Sequence, residues 1–255
     1  MKRLICGFFM AWGCFCSIPC PVKKWDEKLR GAMLETFPAA GVLIGTVTCA
    51  FWIIAGAFTG SILTGILTAS IYFLLTGFIH LDGYMDCCDA ILSRRPEREE
   101  RIRILKDPHS GSFAVIGALL VTAVIAGSFI EISEEMSLSA VLMTVVTLTW
   151  SRTFSAYDVM TKEPMKESQY SVKMDGKPCA PVVLALTVTA AVFAADGMDA
   201  LSAAYLAGLV VVMRIVSAAA GRCARKSLGG MNGDISGFMI VLSEAAAFIY
   251  IAAVL

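Results

Sequence analysis

The stretch from residue 80 to residue 113 has the residue types that could do chemistry, because it places acidic and then basic residues between long apolar runs. Asp82, Asp86 and Asp89 fall at i, i+4 and i+7, so a helix keeps the three carboxylates within a sector of roughly 60°. Carboxylates on one face repel each other unless a cation lies among them. Oxygen ligands suit Mg²⁺ or Mn²⁺. The spacing therefore predicts a divalent metal site, against the plainer interpretation of an acidic helix end in water.

A basic segment follows these aspartates and indicates phosphate as the second ligand. Its members are Arg94, Arg95, Arg98, Arg101, Arg103 and Lys106. Basic side chains can clamp phosphate oxygens beside a divalent ion. The arginines at 98, 101 and 103 alternate with glutamates, and for them we favour anchoring to lipid headgroups.

Lys106 and Asp107 differ from these arginines, because they precede a turn that leads into the next apolar run. The turn continues through Ser110. Backbone N–H groups in such a turn, together with the N-terminus of the helix that follows, could bind an anion. Lys106, Asp107 and Ser110 are therefore predicted to bind substrate.

Another polar island lies just before the last apolar run, with the sequence GGMNGDISGF over residues 229–238. Two interpretations stay open for it. Dense glycines allow a ligand to approach the backbone, which makes Gly230 and Asp234 candidate substrate-binding residues, whereas a plain turn into a helix would use Asp234 as the N-cap. Glu244 lies inside the last run, so we expect it to face the bundle and find a partner.

Two further polar residues lie near the ends of apolar runs. Arg152 is a candidate partner for a phosphate or a carboxylate, although extension of its side chain to the membrane interface is the simpler explanation. His80 would point away from the aspartate face of a continuous helix, so we interpret it as a capping or packing residue.

The elements that must position these residues are membrane helices. The chain has 255 residues, of which 57% are apolar and 16% charged, with a mean hydropathy of +0.74 and no net charge, which gives no reason to expect nucleic acid binding. We predict an all-α, polytopic membrane helix bundle that forms one domain, residues 1–255. Seven predicted spans cover about 37–58, 61–80, 112–130, 137–156, 179–195, 200–220 and 235–255. Residues 1–18 are predicted to form an interfacial or re-entrant segment.

The charges of the connections predict the orientation of these spans. Lysine and arginine are concentrated in the segments 19–36, 81–111, 157–178 and 221–234. The connections near 59–60, 131–136 and 196–199 contain neither residue. The two sets alternate along the chain, as the positive-inside rule requires, so the polar segments should meet at the cytoplasmic face.

Several segments together resemble the cobalamin synthase family, the adenosylcobinamide-GDP ribazoletransferases. Residues 80–89 are similar to the family's HLDGxxDxxD, residues 104–113 to its MKDxxxGxxG region, and residues 229–234 with 243–244 to its GGxTGD and later SE. Residues 37–41 resemble its FPxxG. The resemblance spans most of the chain in the same order.

The chain departs from the family at a few positions. Cys16 and Ser17 stand where the family has the Thr-Arg of TRxP, His109 stands where an arginine is usual, and Asn232 replaces a common threonine. Residues 158–177 also fit poorly. These differences concern predicted substrate contacts and leave the three aspartates unchanged.

The resemblance implies a transferase of the inner membrane, with a cytoplasmic active site, late in cobalamin (vitamin B12) biosynthesis. In the implied reaction, the ribose 3′-hydroxyl of α-ribazole or its 5′-phosphate attacks adenosylcobinamide-GDP, giving adenosylcobalamin or its 5′-phosphate and GMP. Mg²⁺, or Mn²⁺, would bridge the diphosphate and the three aspartates, and Lys106 and Arg152 would assist at the developing charge. Asp89 is our choice for the residue that accepts the hydroxyl proton. The sequence does not distinguish association with other cobalamin-assembly enzymes from a homo-oligomer.

Two other classes of protein share some of these features. The CDP-alcohol phosphotransferases combine membrane helices, aspartates and Mg²⁺, but their DGxxAR motif is absent after Asp82. A cation transporter would use the aspartates as an ion site, but it usually places them near the membrane midplane in two related halves, and this chain shows no repeat. Substrate turnover, as opposed to ion flux, separates these classes.

Overall fold

The computed structural model describes residues 2–166, 168, 176–197 and 200–255. Within these residues the chain forms ten α-helices and a short 3-10 helix, Glu27–Leu29, with no strand. The helices are α1 Lys2–Phe15, α2 Arg30–Phe58, α3 Ser61–Leu75, α4 Ile79–Leu92, α5 Arg98–Leu105, α6 Ser112–Glu134, α7 Leu138–Thr161, α8 Cys179–Asp196, α9 Ala200–Leu228 and α10 Gly233–Val254. The predicted all-α bundle is therefore confirmed.

Several of these helices are long and apolar enough to cross a bilayer. In the described part of the chain they are Glu27–Phe58, Ser112–Glu134, Ala200–Leu228 and Gly233–Val254, with mean hydropathies of 2.0, 2.5, 1.9 and 2.0. Large apolar side chains on these helices face outward; Phe58 is 84% exposed and Leu119 is 65% exposed. An outer surface of this kind is suited to lipid, and the chain is a multi-pass membrane protein.

The count of seven spans stays a prediction. Helices α3 and α4 make a further span only if they are taken together, and they are bent by 89°. The apolar part of α8, Cys179–Ala195, is shorter than the four long spans. Helix α7 carries serines, threonines, Arg152 and Asp158, most of which are buried within the bundle. Helix α1 has 14 residues, too short to cross the bilayer.

The predicted continuous run 61–80 is broken in the structure, and the break turns the aspartate helix away from α3. Gly77 and Phe78 both have φ of +59°, a left-handed conformation that ends α3 after Leu75. Ser17 binds the freed end of α3: its N–H donates to the carbonyl of Leu75 at 2.8 Å, and its hydroxyl donates to the carbonyl of Leu74. Ser17, a departure from the family motif, therefore stabilises this break.

The four basic segments meet at one end of the bundle. Met165 N–H donates to Met231 O at 2.9 Å, which joins 157–178 to 221–234. Arg101 Nε donates to Ser227 O at 3.1 Å, which joins 81–111 to 221–234. Lys177 N–H donates to the Glu35 carboxylate at 2.6 Å, which joins 157–178 to 19–36. The acidic connection at 131–136 lies instead beside the C-terminal Leu255. The charge pattern of the sequence thus corresponds to two opposite ends of the fold.

Helix α10 lies inside the bundle, against α4, α6, α7 and α9. Its fully buried Phe248 packs on Phe129 of α6, with ring centroids 4.6 Å apart, and Phe129 packs edge-on against Trp52 of α2 at 5.3 Å. Aromatic pairs in these geometries stabilise a core beyond the area that they bury. The N-terminus of α10 is therefore held at a fixed position beside α4.

Candidate active site

The aspartate helix α4 and the start of α10 pack unusually closely. A Cβ on Gly83 would lie 2.8 Å from the Cα of Asp234, and a Cβ on Gly237 would lie 2.8 Å from the carbonyl oxygen of His80. Small residues on both helices let their backbones touch at this point. The contact brings Asp234, 145 or more positions away in the sequence from Asp82, Asp86 and Asp89, next to them.

Gly83→Ala is expected to separate α4 from α10 and to lower thermal stability, because the new methyl group would strike the backbone of Asp234. Overpacking of this kind costs about 1–3 kcal/mol. Gly127 of α6 provides a matched control, since a Cβ there meets nothing within 4 Å. Thermal unfolding of both alanine variants in the same detergent checks the expectation. Equal midpoints would contradict the tight contact.

Four carboxylates form the acidic part of the site. Asp86 is half-buried and lies within electrostatic range of Asp82, Asp89 and Asp234. In the described part of the chain, no ion pair is formed by Asp82 or Asp86, so their mutual repulsion is not offset by a neighbouring cation. Clustered carboxylate oxygens without basic partners are the ligand set that Mg²⁺ or Mn²⁺ prefers.

The carboxylates alone do not form a closed metal cage. Among the residues that the structure describes, no three His, Cys, Asp or Glu side chains are close enough to hold one ion. Magnesium is usually held by only one or two carboxylates, and waters and substrate phosphates complete its coordination. The residues present therefore fit a substrate-completed Mg²⁺ site better than a permanent structural one, and the metal site stays a prediction.

Asp89 also has a structural role at the start of α6, which its spacing in the sequence did not predict. Its Oδ2 accepts the N–H of Gly111, and its Oδ1 accepts the N–H of Ala114 at 2.9 Å, so this carboxylate caps the start of α6. The predicted anion site at that helix N-terminus is therefore filled by a side chain of the protein itself, which is a correction. An ionised carboxylate stabilises free N–H groups and the helix dipole in the same way as a bound anion.

Asp89→Ala is expected to destabilise the protein by about 0.5–2 kcal/mol, the usual cost of losing a helix cap. Asp89→Asn keeps one acceptor oxygen and should lose less. Denaturation midpoints of the two variants in one detergent measure the difference. If both variants unfold at the wild-type midpoint, Asp89 does not cap α6.

A cavity of about 300 Å³ opens beside Asp234 and brings two predicted substrate-binding residues together. Lys106, Asp234 and Asn232 all line it. Asn232 caps α10 by accepting the N–H of Ile235 at 2.9 Å, and its amide donates to Asp234 at 2.7 Å. The interpretation of Asp234 as the N-cap is therefore wrong, because Asn232 occupies that position and leaves Asp234 in the first turn.

The remaining residues of the predicted turn are exposed at the surface. Asp107 accepts the backbone N–H of His109 at 2.9 Å and contacts its ring, and both interactions lower the pKa of Asp107. The side chain of His109 is 89% exposed. Ser110 is also exposed. Substrate contacts by Asp107 and Ser110 stay predictions.

Gly230 lies against the protein backbone rather than against an open ligand space. A Cβ there would lie 2.6 Å from the backbone nitrogen of Met165, where Pro164 and Met231 form a single β-bridge. The absence of a side chain therefore allows two basic segments to join. The glycine helps to form one wall of the cavity, since Met165 lines it, and direct substrate contact by Gly230 stays a prediction.

Arg152 is fully buried, so the expectation that it extends to the interface is wrong. It pairs with Glu244 of α10, which confirms that Glu244 faces the bundle. Glu244 also accepts hydrogen bonds from Ser151, at 2.6 Å, and from Tyr72. An arginine inside a membrane bundle is stable when a buried acid offsets its charge. Arg152 is closed off from solvent in this arrangement, and its contact with substrate stays a prediction.

His80 is a packing residue, as expected, stacked on Phe15 and edge-on to Phe37.

Two residues of the Arg152 network could not have been assigned by spacing. Tyr72 and Ser151 both bind Glu244, and they lie in apolar stretches that gave no signal. The cap at Asn232 did have a signal, because asparagine is among the most favoured N-cap residues.

Known proteins resemble the chain over nearly its whole length. The sequence model of the cobalamin-5-phosphate synthase family matches residues 7–252. An adenosylcobinamide-GDP ribazoletransferase of Clostridium perfringens (strain SM101 / Type A) is 30% identical over 251 residues, which are 96% of each chain. The Clostridium botulinum (strain Alaska E43 / Type E3) protein of that name is 33% identical over 96% of each chain, and the Escherichia coli (strain K12 / DH10B) one is 26% identical over 89% of this chain and 91% of its own. No solved structure shows significant similarity. The chain belongs to the cobalamin-5-phosphate synthase family.

Proposed function

We propose that this protein transfers the adenosylcobinamide phosphate group of adenosylcobinamide-GDP to α-ribazole or α-ribazole 5′-phosphate. The acceptor's 3′-oxygen forms a bond to the cobinamide-side phosphorus, and the bond from that phosphorus to the bridging oxygen of GMP breaks. The products are adenosylcobalamin, or its 5′-phosphate, and GMP. The family match over residues 7–252 and the shared name of the relatives support this reaction.

The observation that carries the proposal is the meeting of acidic and basic groups at one cavity. Asp234 of α10 and Lys106, from the loop before α6, both line the cavity. Asp82 and Asp86 of α4 lie within electrostatic range of Asp234. A diphosphate needs both kinds of group: cationic groups neutralise its oxygens, and carboxylates hold a divalent ion against it. A site that only conducts a cation would not place a lysine beside the ion, because the two positive charges repel each other.

We propose that one or two of the carboxylates Asp82, Asp86 and Asp234 would hold Mg²⁺, and that waters and substrate phosphates would complete its coordination. Asp234 is added to the three sequence-predicted ligands because Asp82 and Asp86 both lie within its electrostatic range. The ion, when bound, neutralises the charge that develops on the diphosphate oxygens. The side chain of Lys106 contributes a further positive charge to the same cavity.

The acceptor hydroxyl must lose a proton as it attacks, and a carboxylate of this group is the base at hand. We favour Asp86 over Asp89 for this role. Both oxygens of Asp89 already accept backbone N–H groups at the start of α6, so this carboxylate is held there and is not free to turn to a hydroxyl. Asp86 accepts no hydrogen bond from a described residue.

The same site indicates where the reaction takes place in the cell. The four basic segments meet at the end of the bundle that carries the carboxylates, and basic segments stay on the cytoplasmic side of a membrane. We therefore propose that the active site faces the cytoplasm from the cell's inner membrane. Both substrates are polar and would reach it from solution.

The test is turnover by the purified protein. Detergent-solubilised protein is incubated with adenosylcobinamide-GDP, α-ribazole and Mg²⁺, and GMP and corrinoid products are separated by chromatography. We expect GMP and adenosylcobalamin in equal amounts, with no product after chelation and recovery when Mg²⁺ is restored. If folded protein releases no GMP, the proposal fails, and ion flux and CDP-alcohol transfer become the reactions to measure.

A further inference from the structure

A second cavity lies next to the one beside Asp234 and shares part of its wall. It has a volume of about 230 Å³, and Lys106 and Met165 line both cavities. Arg98 and Lys166 add two more basic side chains to the second cavity, against one acidic residue, Glu99. Because Lys106 stands between the two spaces, an anion in each cavity would have this lysine as a common neighbour.

The local backbone positions Arg98 for binding. Arg98 begins α5 and lies over the turn that ends α9, where a Cβ on Gly229 would be 3.0 Å from the Arg98 Cδ. Gly229 has φ of +89°, a conformation that favours glycine, so the turn leaves space for the arginine. Arg101 fixes α5 to α9 through its bond to Ser227 O, and its anchoring to lipid stays a prediction.

Arg98 and Lys166 are available for a ligand. Neither forms a hydrogen bond or an ion pair with another residue in the described ranges, and both are exposed at the cavity. Arginine matches the oxygens of a phosphate with two parallel N–H groups, and lysine adds a point charge. A phosphate monoester carries about −1.5 to −2 charges at neutral pH, which this excess of cations would offset.

We propose that this second cavity binds the 5′-phosphate of the acceptor, α-ribazole 5′-phosphate, and that Arg98 and Lys166 set a preference for the phosphorylated acceptor. The inference rests on the proposed function. The donor has all its phosphate charge on the diphosphate at which the bond breaks, beside the carboxylates. The acceptor's phosphate is the remaining anion of the reaction. Because Lys106 and Met165 line both cavities, an acceptor whose 5′-phosphate binds in the second cavity would have its ribose next to the first.

The preference can be measured by comparing two acceptors on matched variants. Wild type, Arg98→Gln, Lys166→Gln and Arg103→Gln are placed in nanodiscs of zwitterionic lipid, and KM and kcat are measured with α-ribazole 5′-phosphate and with α-ribazole. Arg103 is the control, because it is exposed on the same helix but does not line the cavity. We expect Arg98→Gln and Lys166→Gln to raise KM for the phosphorylated acceptor roughly tenfold or more. KM for α-ribazole and the kinetics of Arg103→Gln should stay within about twofold of wild type.

Three outcomes would overturn the assignment. An equal rise of KM for both acceptors would mean that the cations do not contact the 5′-phosphate. Unchanged KM for both would mean that the cavity is not an acceptor site. A loss that appears only when anionic lipid is added, and is the same for both acceptors, would show that the phosphate recognised there is a lipid headgroup.

Equilibrium binding separates this inference from the proposed reaction. Calorimetry without donor measures the affinity of the intact protein for α-ribazole 5′-phosphate and for α-ribazole. Tighter binding of the phosphorylated form, lost in Arg98→Gln but not in Arg103→Gln, supports the phosphate site even if no product is formed. Turnover of α-ribazole without this difference in binding would support the proposed function and overturn the phosphate site.

Discussion

Asp82→Asn and Asp86→Asn are each expected to lower turnover of adenosylcobinamide-GDP by roughly 10²–10³-fold, with little change in stability. Asparagine keeps the size of the side chain but removes the charge that a divalent ion requires. Neither aspartate pairs with a basic residue in the described structure, so its replacement leaves no buried cation behind. Removal of one repelling carboxylate from the group should leave the fold intact or slightly more stable.

The informative comparison is between these variants and Glu100→Gln. Glu100 is an exposed acid on α5 that lines neither cavity beside Lys106. Initial rates are measured at several Mg²⁺ concentrations, with thermal midpoints recorded for each protein. Asp82→Asn and Asp86→Asn should need more Mg²⁺ for half-maximal rate, whereas Glu100→Gln should follow wild type. Wild-type rates in the aspartate variants, at every Mg²⁺ concentration, would remove these carboxylates from the site.

The sequence predicts the first part of this site well, because helix periodicity alone aligns Asp82, Asp86 and Asp89. It could not separate their roles. The contact of Asp89 with the N–H groups of Gly111 and Ala114 depends on where the loop after α5 returns, which local periodicity does not encode. For the same reason Asp234 was predicted as a substrate contact rather than as a neighbour of the aspartates.

The fold was predictable where hydropathy determines it and not where the chain bends. Long apolar helices were placed close to their observed bounds, and the alternation of charge anticipated which connections meet. The break after Leu75 was missed, since Gly77 and Phe78 lie in an apolar stretch with no proline. The bend depends on a distant partner, Ser17, which binds the end of α3. Long-range hydrogen bonds of this kind leave no periodic signal.

Glu244→Ala is expected to destabilise the protein by about 3–5 kcal/mol, because it would leave the Arg152 guanidinium buried without a counter-charge. Both side chains are 0% exposed, and Arg152 also donates to Leu148 O at 2.9 Å and to Ser151. The Nε and Nη2 atoms of Arg152 have no hydrogen-bond partner among the described residues. The carboxylate of Glu244 is therefore the main group that offsets the buried positive charge of Arg152. Thermal or denaturant unfolding in detergent measures the loss.

The double variant Arg152→Met with Glu244→Leu shows whether Arg152 acts on structure or on substrate. Replacing a buried ion pair by apolar residues of similar volume is often neutral or stabilising, so the double variant should be more stable than Glu244→Ala. If it also recovers wild-type turnover, Arg152 serves the bundle alone. If stability returns but turnover stays low, while KM for the donor rises, the sequence-based assignment of Arg152 to substrate binding gains support. A double variant as unstable as Glu244→Ala would contradict the buried pair, because the destabilisation would then come from lost packing and not from an uncompensated charge.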